Sequence, residues 1–132
     1  MPKKITIFKL GKPAKNDINH ELQWLGHSLG LFNIRDKDKS CFRIFIELLK
    51  SAKQREPLSS DDIAVRLELT RGTIIHHINN LINAGLVIQE KQRYLLRVEK
   101  LSHLIEELHR DLENACKDIK DVARDIDEWL GL

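Results

Sequence analysis

The sequence predicts a mostly α-helical protein with a small β-hairpin and a long C-terminal helix. Two short amphipathic helices and a break fill residues 58–87, and period-two alternation around a polar tip follows over 86–98. Apolar residues then recur in steps of four and three to the C-terminus. With 132 residues, 42% of them hydrophobic, the chain can build one modest core. We expect a basic arm at 1–15, a domain at 16–98 and a helix at 99–132.

Local end signals define the two short helices. Ser59 precedes the first helix and Asp62 follows three residues later, which is the spacing of a capping box. Thr70 can cap the second helix, predicted over 71–84, and Gly85 follows where a left-handed residue often ends a helix. The face of the second helix predicted to be buried consists of Ile74, Ile78, Leu81 and Ile82. The pair is typical of a helix-turn-helix, whose second helix reads DNA.

The N-terminal segment is basic. Its lysines are Lys3, Lys4, Lys9, Lys12 and Lys15. Residues 5–10 have the composition of a β-strand, and Gly11 and Pro13 follow them. A short edge strand, an arm that contacts DNA phosphates and a partly mobile solvated tail are the alternatives.

Two more helices are predicted between this segment and the helix-turn-helix. The first runs from Asn16 or Asp17 to about Gly30. The second covers residues 40–53 after a cap at Asp36 or Asp38. The side chains that it is expected to bury are Phe42, Phe45, Ile46, Leu49 and Ala52, with Leu48 at the margin.

A β-hairpin is predicted directly after the helix-turn-helix. Residues 86–90 and 93–98 read as its strands, and residues 90–93 form the polar tip. No Asn-Gly or Asp-Gly pair marks the turn, so its type is unassigned. A helix-turn-helix followed by a short hairpin is the order of a winged helix. The predicted fold is therefore a winged helix-turn-helix with a long C-terminal coiled-coil helix.

The C-terminal helix carries a heptad seam over four repeats. The seam residues are Leu101, Ile105, Leu108, Leu112, Ala115, Ile119, Val122, Ile126 and Trp129. A helix of about 30 residues would be roughly 45 Å long, which a domain of this size cannot cover. Folding back on residues 18–29 would cover only half of it. A second copy of the chain is the simplest partner, so we expect a homodimer, with parallel or antiparallel helices both open.

Charge is distributed unevenly along the chain. Residues 1–56 carry 12 Lys/Arg against 6 Asp/Glu, whereas residues 99–132 carry 5 against 10. The middle segment, 57–98, is nearly balanced, with 5 against 4. A basic front and an acidic tail suit a protein that docks one end on a polyanion, although an ordinary solvated surface can have the same distribution.

These residues resemble prokaryotic winged-helix transcription regulators of the ArsR-like group. The likeness covers Leu58 to Val98 and is strongest in LSSDDIAVRL and LTRGTIIHHINNLINAGLV. It implies a homodimer that binds pseudo-palindromic operator DNA, with recognition helices in major grooves and wings on the backbone. Two features depart from the group. Ile75 occupies the usual place of a small polar residue, and the cysteine or histidine–carboxylate signatures of metal-sensing members are missing.

The face of the second helix opposite its predicted buried side holds residues suited to DNA. Arginine can donate two hydrogen bonds to guanine, asparagine can pair with adenine, and threonine or histidine can contact base or phosphate. The residues expected on DNA are Thr70, Arg71, Thr73, His76 and Asn80, with Lys91 and Arg93 at the hairpin tip. His77 is expected either on DNA or in a structural hydrogen bond.

The leading hypothesis is a sequence-specific, DNA-binding transcription regulator that acts as a cytoplasmic homodimer. Its recognition helix (71–84) would enter the major groove of double-stranded DNA and its wing (86–98) would contact the backbone. The alternative is a winged helix that binds proteins and does not read DNA. In that case the exposed residues of the second helix are ordinary surface.

Other function classes have little support in the sequence. It contains no phosphate-binding glycine loop, nucleophile elbow or HExxH motif, so we expect neither an enzyme nor a cofactor. His103, His109 and nearby glutamates on the C-terminal helix form only two-ligand pairs, so no metal site is expected. The apolar runs are too short for a membrane span. Cys41 and Cys116 lack CxxC spacing and are expected to be small buried hydrophobes in a reducing compartment.

Overall fold

The computed structural model describes residues 4–14, 17–33 and 35–132. The elements in these ranges are α1 (Ile18–Ser28), α2 (Ser40–Ala52), β1 (Leu58–Ser59), α3 (Ser60–Leu67), α4 (Arg71–Asn83), β2 (Val87–Glu90), β3 (Arg93–Leu96) and α5 (Leu101–Leu130). Lys3 and Lys15 of the basic segment, and the alternative helix start at Asn16, lie outside the described residues. The mostly helical winged architecture with a long C-terminal helix is the predicted one.

Helices α3 and α4 begin and end at the predicted signals. The Ser59 hydroxyl accepts a hydrogen bond from the Asp62 N–H (3.0 Å), and the Asp62 carboxylate accepts one from the Ser59 N–H (3.1 Å). Thr70 caps α4 by accepting from the Thr73 N–H at 3.2 Å. Gly85 follows α4 with φ of +79°, a conformation that glycine adopts without steric cost. The capping box and both α4 signals are confirmed.

The wing contains a strand that the sequence pattern did not predict. β1 pairs antiparallel with β3, and β3 pairs with β2, so the strand order is β1-β3-β2. Leu58 lies opposite Tyr94, and Ser59 lies opposite Arg93. A two-residue strand has no periodicity to detect, and Ser59 was recognisable only as a cap. β1 joins the start of the helix-turn-helix to the wing.

Helix α2 has its predicted bounds to within a residue, but the predicted buried face is only partly right. Ile44, Phe45 and Leu48 are the fully buried side chains, whereas the expected Phe42, Ile46, Leu49 and Ala52 are only partly buried. The helix is apolar around much of its circumference, and contacts with α4 and β3 determine which side faces the core.

The predicted Asp36 cap of α2 is present. Its carboxylate accepts hydrogen bonds from the N–H groups of Ser40 (3.0 Å) and Cys41 (2.9 Å), which would otherwise lack partners in the first turn. Lys39 occupies the backbone cap position in a left-handed conformation, with φ of 55°, and makes no side-chain cap. Asp36 therefore caps the helix from outside its first turn.

Packing explains the glycine within α1. A Cβ on Gly26 would lie 2.7 Å from Phe42 and 2.8 Å from Phe32, too close for a methyl group. The rings of Phe32 and Phe42 are in contact, with centroids 4.6 Å apart. Gly26 lowers the helix propensity of α1, but the absence of a side chain lets α2 and the loop between α1 and α2 approach α1 closely.

The N-terminal arm, residues 4–14, is extended and forms no β-strand in the described chain. Three hydrogen bonds to other described residues hold it in place. Lys4 N–H donates to the Asn83 carbonyl (2.9 Å), Phe8 N–H to the Ser28 carbonyl (2.8 Å), and the Trp24 indole N–H to the Gly11 carbonyl (2.6 Å). The arm thus reaches the C-terminal end of α4, far from it in sequence.

One hydrophobic core joins the elements and extends into the first turns of α5. Leu104 and Leu108 belong to it and are buried. Arg97, just after β3, donates to Asp111 (2.5 Å) and Glu107 (3.2 Å), which fixes the direction of α5 relative to the wing. Every described residue of α5 beyond Asp111 is exposed in the single chain. The helix therefore leaves the core at this point.

Candidate nucleic-acid interface

Helix α4 has one buried and one exposed face. Ile74, Ile78 and Leu81 are buried, as predicted, while Ile82 is partly buried. Ile75, in the usual place of a small polar residue, is also partly buried. The opposite face is polar, and its side chains reach solvent. The helix can therefore present its polar face to a ligand without disturbing its packing on α2 and α3.

The N-terminal end of α4 carries three of the residues expected on DNA. Arg71 is exposed, and its Nε lies 3.9 Å from the Asp61 carboxylate, which is also exposed. Exposed pairs of this kind contribute little to stability, so a phosphate or guanine can replace Asp61. The Thr70 hydroxyl donates to the Thr73 hydroxyl at 2.9 Å. These threonines therefore order the first turn of the helix besides any contact with a ligand.

The histidine pair is split between two environments. His76 and Asn80 are exposed one turn apart on the outer face of α4. His77 turns inward: its side chain is 13% exposed, and its Nε2 lies 3.9 Å from the Asp36 carboxylate that caps α2. His77 therefore lies beside the α2 cap and away from the outer face of α4, although 3.9 Å is too long for the structural hydrogen bond that was one of its two expected roles.

The pKa values of His77 and Asp36 are both lower than usual. Burial lowers the pKa of His77, and nearby His76 lowers it further, against an opposing effect of Asp36. Burial alone would raise the pKa of the Asp36 carboxyl, but hydrogen bonds from Cys41 and Ser40 outweigh it and, with His77, leave the pKa lowered. At neutral pH His77 is therefore uncharged, and Asp36 is ionised.

We expect the lowered pKa of His77 to make the fold less stable in mild acid. Below the ordinary histidine pKa of 6.5 the unfolded state binds a proton that the folded state does not. The free energy of unfolding should therefore decrease as the pH decreases, by at most about 1.4 kcal/mol per pH unit for one proton. Urea titrations between pH 7.5 and 5 should show that the free energy of unfolding depends less steeply on pH in His77→Gln than in the wild type.

His76→Gln is the matched control for this prediction. It alters the neighbouring, exposed imidazole, which has the smallest of the three effects on the pKa of His77, so most of the wild-type slope should remain while DNA binding falls. Equal slopes in His77→Gln and wild type would contradict the buried position of His77.

The wing places its two cationic candidates differently. Lys91 is exposed at the turn between β2 and β3, where its φ is 56°. Arg93 lies on β3, and its Nη1 is 3.3 Å from the Asp62 carboxylate and 3.4 Å from the Pro57 carbonyl. Hydrogen bonds with Ser59, aided by Arg93, lower the pKa of Asp62. Lys91 is thus free to reach a ligand, whereas Arg93 also connects the wing to the start of α3.

The nine seam residues of α5 divide into three groups. Leu108 is 2% exposed and packs in the core of its own chain, and Leu101 is partly buried there. Ile105 and Leu112 are exposed to a smaller extent, at 38% each. The remaining residues are exposed, and the large ones among them are Ile119, Val122, Ile126 and Trp129. A partner helix therefore has access mainly to the seam from Leu112 onward.

Two cations near α4 were not among the predicted DNA residues. Lys4 of the arm and Arg35 of the loop between α1 and α2 line a groove along α4, together with His76 and Asn80. Lys4 was only one of five lysines in a segment of open function, and Arg35 lies in a loop without periodicity. Their proximity to α4 depends on tertiary contacts that no sequence spacing reveals.

Other kinds of site have little support among the described residues. No three His, Cys, Asp or Glu side chains in that part of the chain are grouped so that they could hold a metal ion. Burial raises the pKa of the Cys41 thiol to about 11, which leaves it protonated and weakly nucleophilic at neutral pH. Cys116 is exposed on α5, so the expectation that it is buried is wrong.

None of the described helices is long and apolar enough to cross a membrane.

The fold is that of a winged helix-turn-helix, and the second helix of the motif, α4, has an exposed polar face. Residues 46–89, about a third of the 132-residue chain, match the family model described as "Bacterial regulatory protein, arsR family". The chain therefore carries an ArsR-like domain of the kind found in DNA-binding transcription regulators, which confirms the resemblance of the helix-turn-helix segment. Comparisons with curated proteins and with solved structures gave no match.

Proposed function

We propose that this protein is a cytoplasmic, homodimeric transcription regulator that recognises specific DNA sequences. α4 enters the major groove, and the turn of the wing contacts the backbone. The observation that carries this proposal is the division of α4 into a buried apolar face and an exposed face bearing Arg71, His76 and Asn80. Arg71 can donate hydrogen bonds to guanine or to a phosphate, and Asn80 can pair with adenine. His76 can contact a base or a phosphate.

The second copy is proposed because the exposed seam of α5 needs a partner. Ile119 is 68% and Trp129 86% exposed in the single chain, and Val122 and Ile126 lie between them on the same face. A continuous stripe of large apolar side chains is rarely left in water. Pairing with the same stripe of another copy covers it and joins two α4 helices in one molecule. Two linked half-sites increase affinity beyond that of one weakly basic domain.

The proposal is tested by DNA binding of single-residue variants. Arg71→Ala, His76→Ala and Asn80→Ala should each weaken binding to the selected operator by about 1–3 kcal/mol, because each removes a contact to a base edge. They should weaken binding to unrelated DNA much less. Operator selection from random duplexes, followed by fluorescence anisotropy at fixed salt, measures both effects.

Arg124→Ala is the control, since it removes an equal charge from the part of α5 beyond the core. Its affinity should match that of the wild type. Binding that is equally strong in the α4 variants would refute base reading by this helix. No salt-dependent DNA binding at all would favour the alternative, in which the winged helix binds a protein.

A further inference from the structure

The N-terminal arm is hydrogen-bonded to the C-terminal end of α4. Lys4 donates its backbone N–H to the Asn83 carbonyl at the last residue of α4. This bond satisfies one carbonyl at the end of a helix, where such groups lack partners within the helix. The position of Lys4 is therefore fixed relative to α4.

A second cation, Arg35, lines the same groove as Lys4 and α4. Arg35 is exposed, and its backbone N–H donates to the Asn33 side chain at 3.0 Å. The groove has a volume of about 760 Å³ and is also lined by His76 and Asn80. Among the described residues, neither Lys4 nor Arg35 makes an ion pair. Both cations are available to an anion that also touches the exposed face of α4.

The carboxylate in this lining does not cancel the two cations. Asp36 is 10% exposed, and its oxygens accept hydrogen bonds from the N–H groups of Ser40 and Cys41. Its charge is directed toward the first turn of α2. His77, which lies beside Asp36, is neutral at pH 7 because its pKa is lowered. The groove thus carries a net positive charge at its rim.

We infer that Lys4 and Arg35 bind the phosphates of the DNA strand that flanks α4, on the edge formed by the arm. This inference rests on the proposed function, and it assigns the arm a place in the DNA interface. A groove that shares His76 and Asn80 with the reading face is reached by the same duplex. Lysine and arginine at this edge neutralise phosphates without reading sequence. They supply charge that the weakly basic α4 lacks.

The test is the salt dependence of DNA binding by the full-length protein. Each phosphate contact contributes about 0.9 to the slope of log K against log salt. A homodimer has two copies, so Lys4→Ala or Arg35→Ala should each reduce the slope by about 1.8. The loss of affinity between 50 and 200 mM salt should then be about tenfold smaller than in the wild type. Specific and unrelated duplexes should be affected alike.

Lys9→Ala is the matched control, because Lys9 is exposed on the same arm but does not line the groove. Its slope should equal that of the wild type. Slopes in Lys4→Ala and Arg35→Ala that equal the Lys9→Ala slope would overturn the inference while leaving the proposed function intact. Saturable binding of inorganic phosphate that requires both cations, with unchanged DNA slopes, would also overturn it and identify a small-anion site. A wild type without DNA binding would instead refute the proposed function.

Discussion

Replacing Ile119 and Ile126 together by glutamate is expected to convert the protein to a monomer and to weaken binding to two-half-site DNA by about 10²–10⁴-fold. Both side chains are exposed on the stripe of α5 that lies beyond the core. Burying two glutamates in a helix pair costs far more than the dimer can offset. Each chain then holds only one half-site. Sedimentation velocity measures the mass, and anisotropy measures DNA binding.

The matched control is Lys117→Gln with Arg124→Gln. It makes the same change in net charge, but at heptad positions opposite the seam. This variant should remain dimeric and bind DNA nearly as the wild type does. An unchanged mass in the Ile119→Glu, Ile126→Glu variant would refute pairing through this seam. Leu108 is not a useful target, because its burial in the core of its own chain would confuse dimer loss with unfolding.

Ile78→Ala is expected to lower the free energy of unfolding by about 2–5 kcal/mol. Ile78 is fully buried on α4, in the same core as Ile44 and Leu48 of α2. Its truncation removes apolar contacts and leaves a cavity that the surrounding helices fill only in part. Because this core holds α4 in place, DNA binding should also become more temperature-sensitive. Urea unfolding of wild type and variant at the same protein concentration measures the change, because the stability of the proposed dimer would depend on concentration.

Val65→Ala tests whether the effect depends on burial. Val65 is in α3 and is 80% exposed, so its truncation should change stability by less than about 0.5 kcal/mol. A loss of similar size in the two variants would show that the assigned core face of α4 is wrong.

The helix-turn-helix was predictable because its signals lie within a few residues of one another. Ser59 and Asp62 bond across three positions, and Thr70 bonds the N–H of Thr73. Gly85 needs only its own backbone freedom. Such interactions form in the helix ends themselves and require no knowledge of the rest of the fold.

The buried side of α2 was not predictable in the same way. Its apolar residues allow two overlapping faces, and the face predicted from periodicity contained Phe45 but omitted Ile44 and left Leu48 at its margin. Helix α2 packs on two sides. Phe45 and Leu48 are buried in the core, whereas Phe42 packs against Gly26 of α1. A helix buried from two directions has no single stripe, so its orientation depends on its partners.

The sequence by itself determined the order of the helices and of the two hairpin strands, the ends of α3 and α4, the polar face of α4 and the heptad pattern of α5. Each follows from hydrogen bonds or side-chain spacing within one segment. Only the tertiary structure decided that His77 faces Asp36, that Leu108 belongs to the core, and that Lys4 reaches the end of α4. These contacts join residues distant in sequence. They form when separate elements pack together, which a local pattern does not encode.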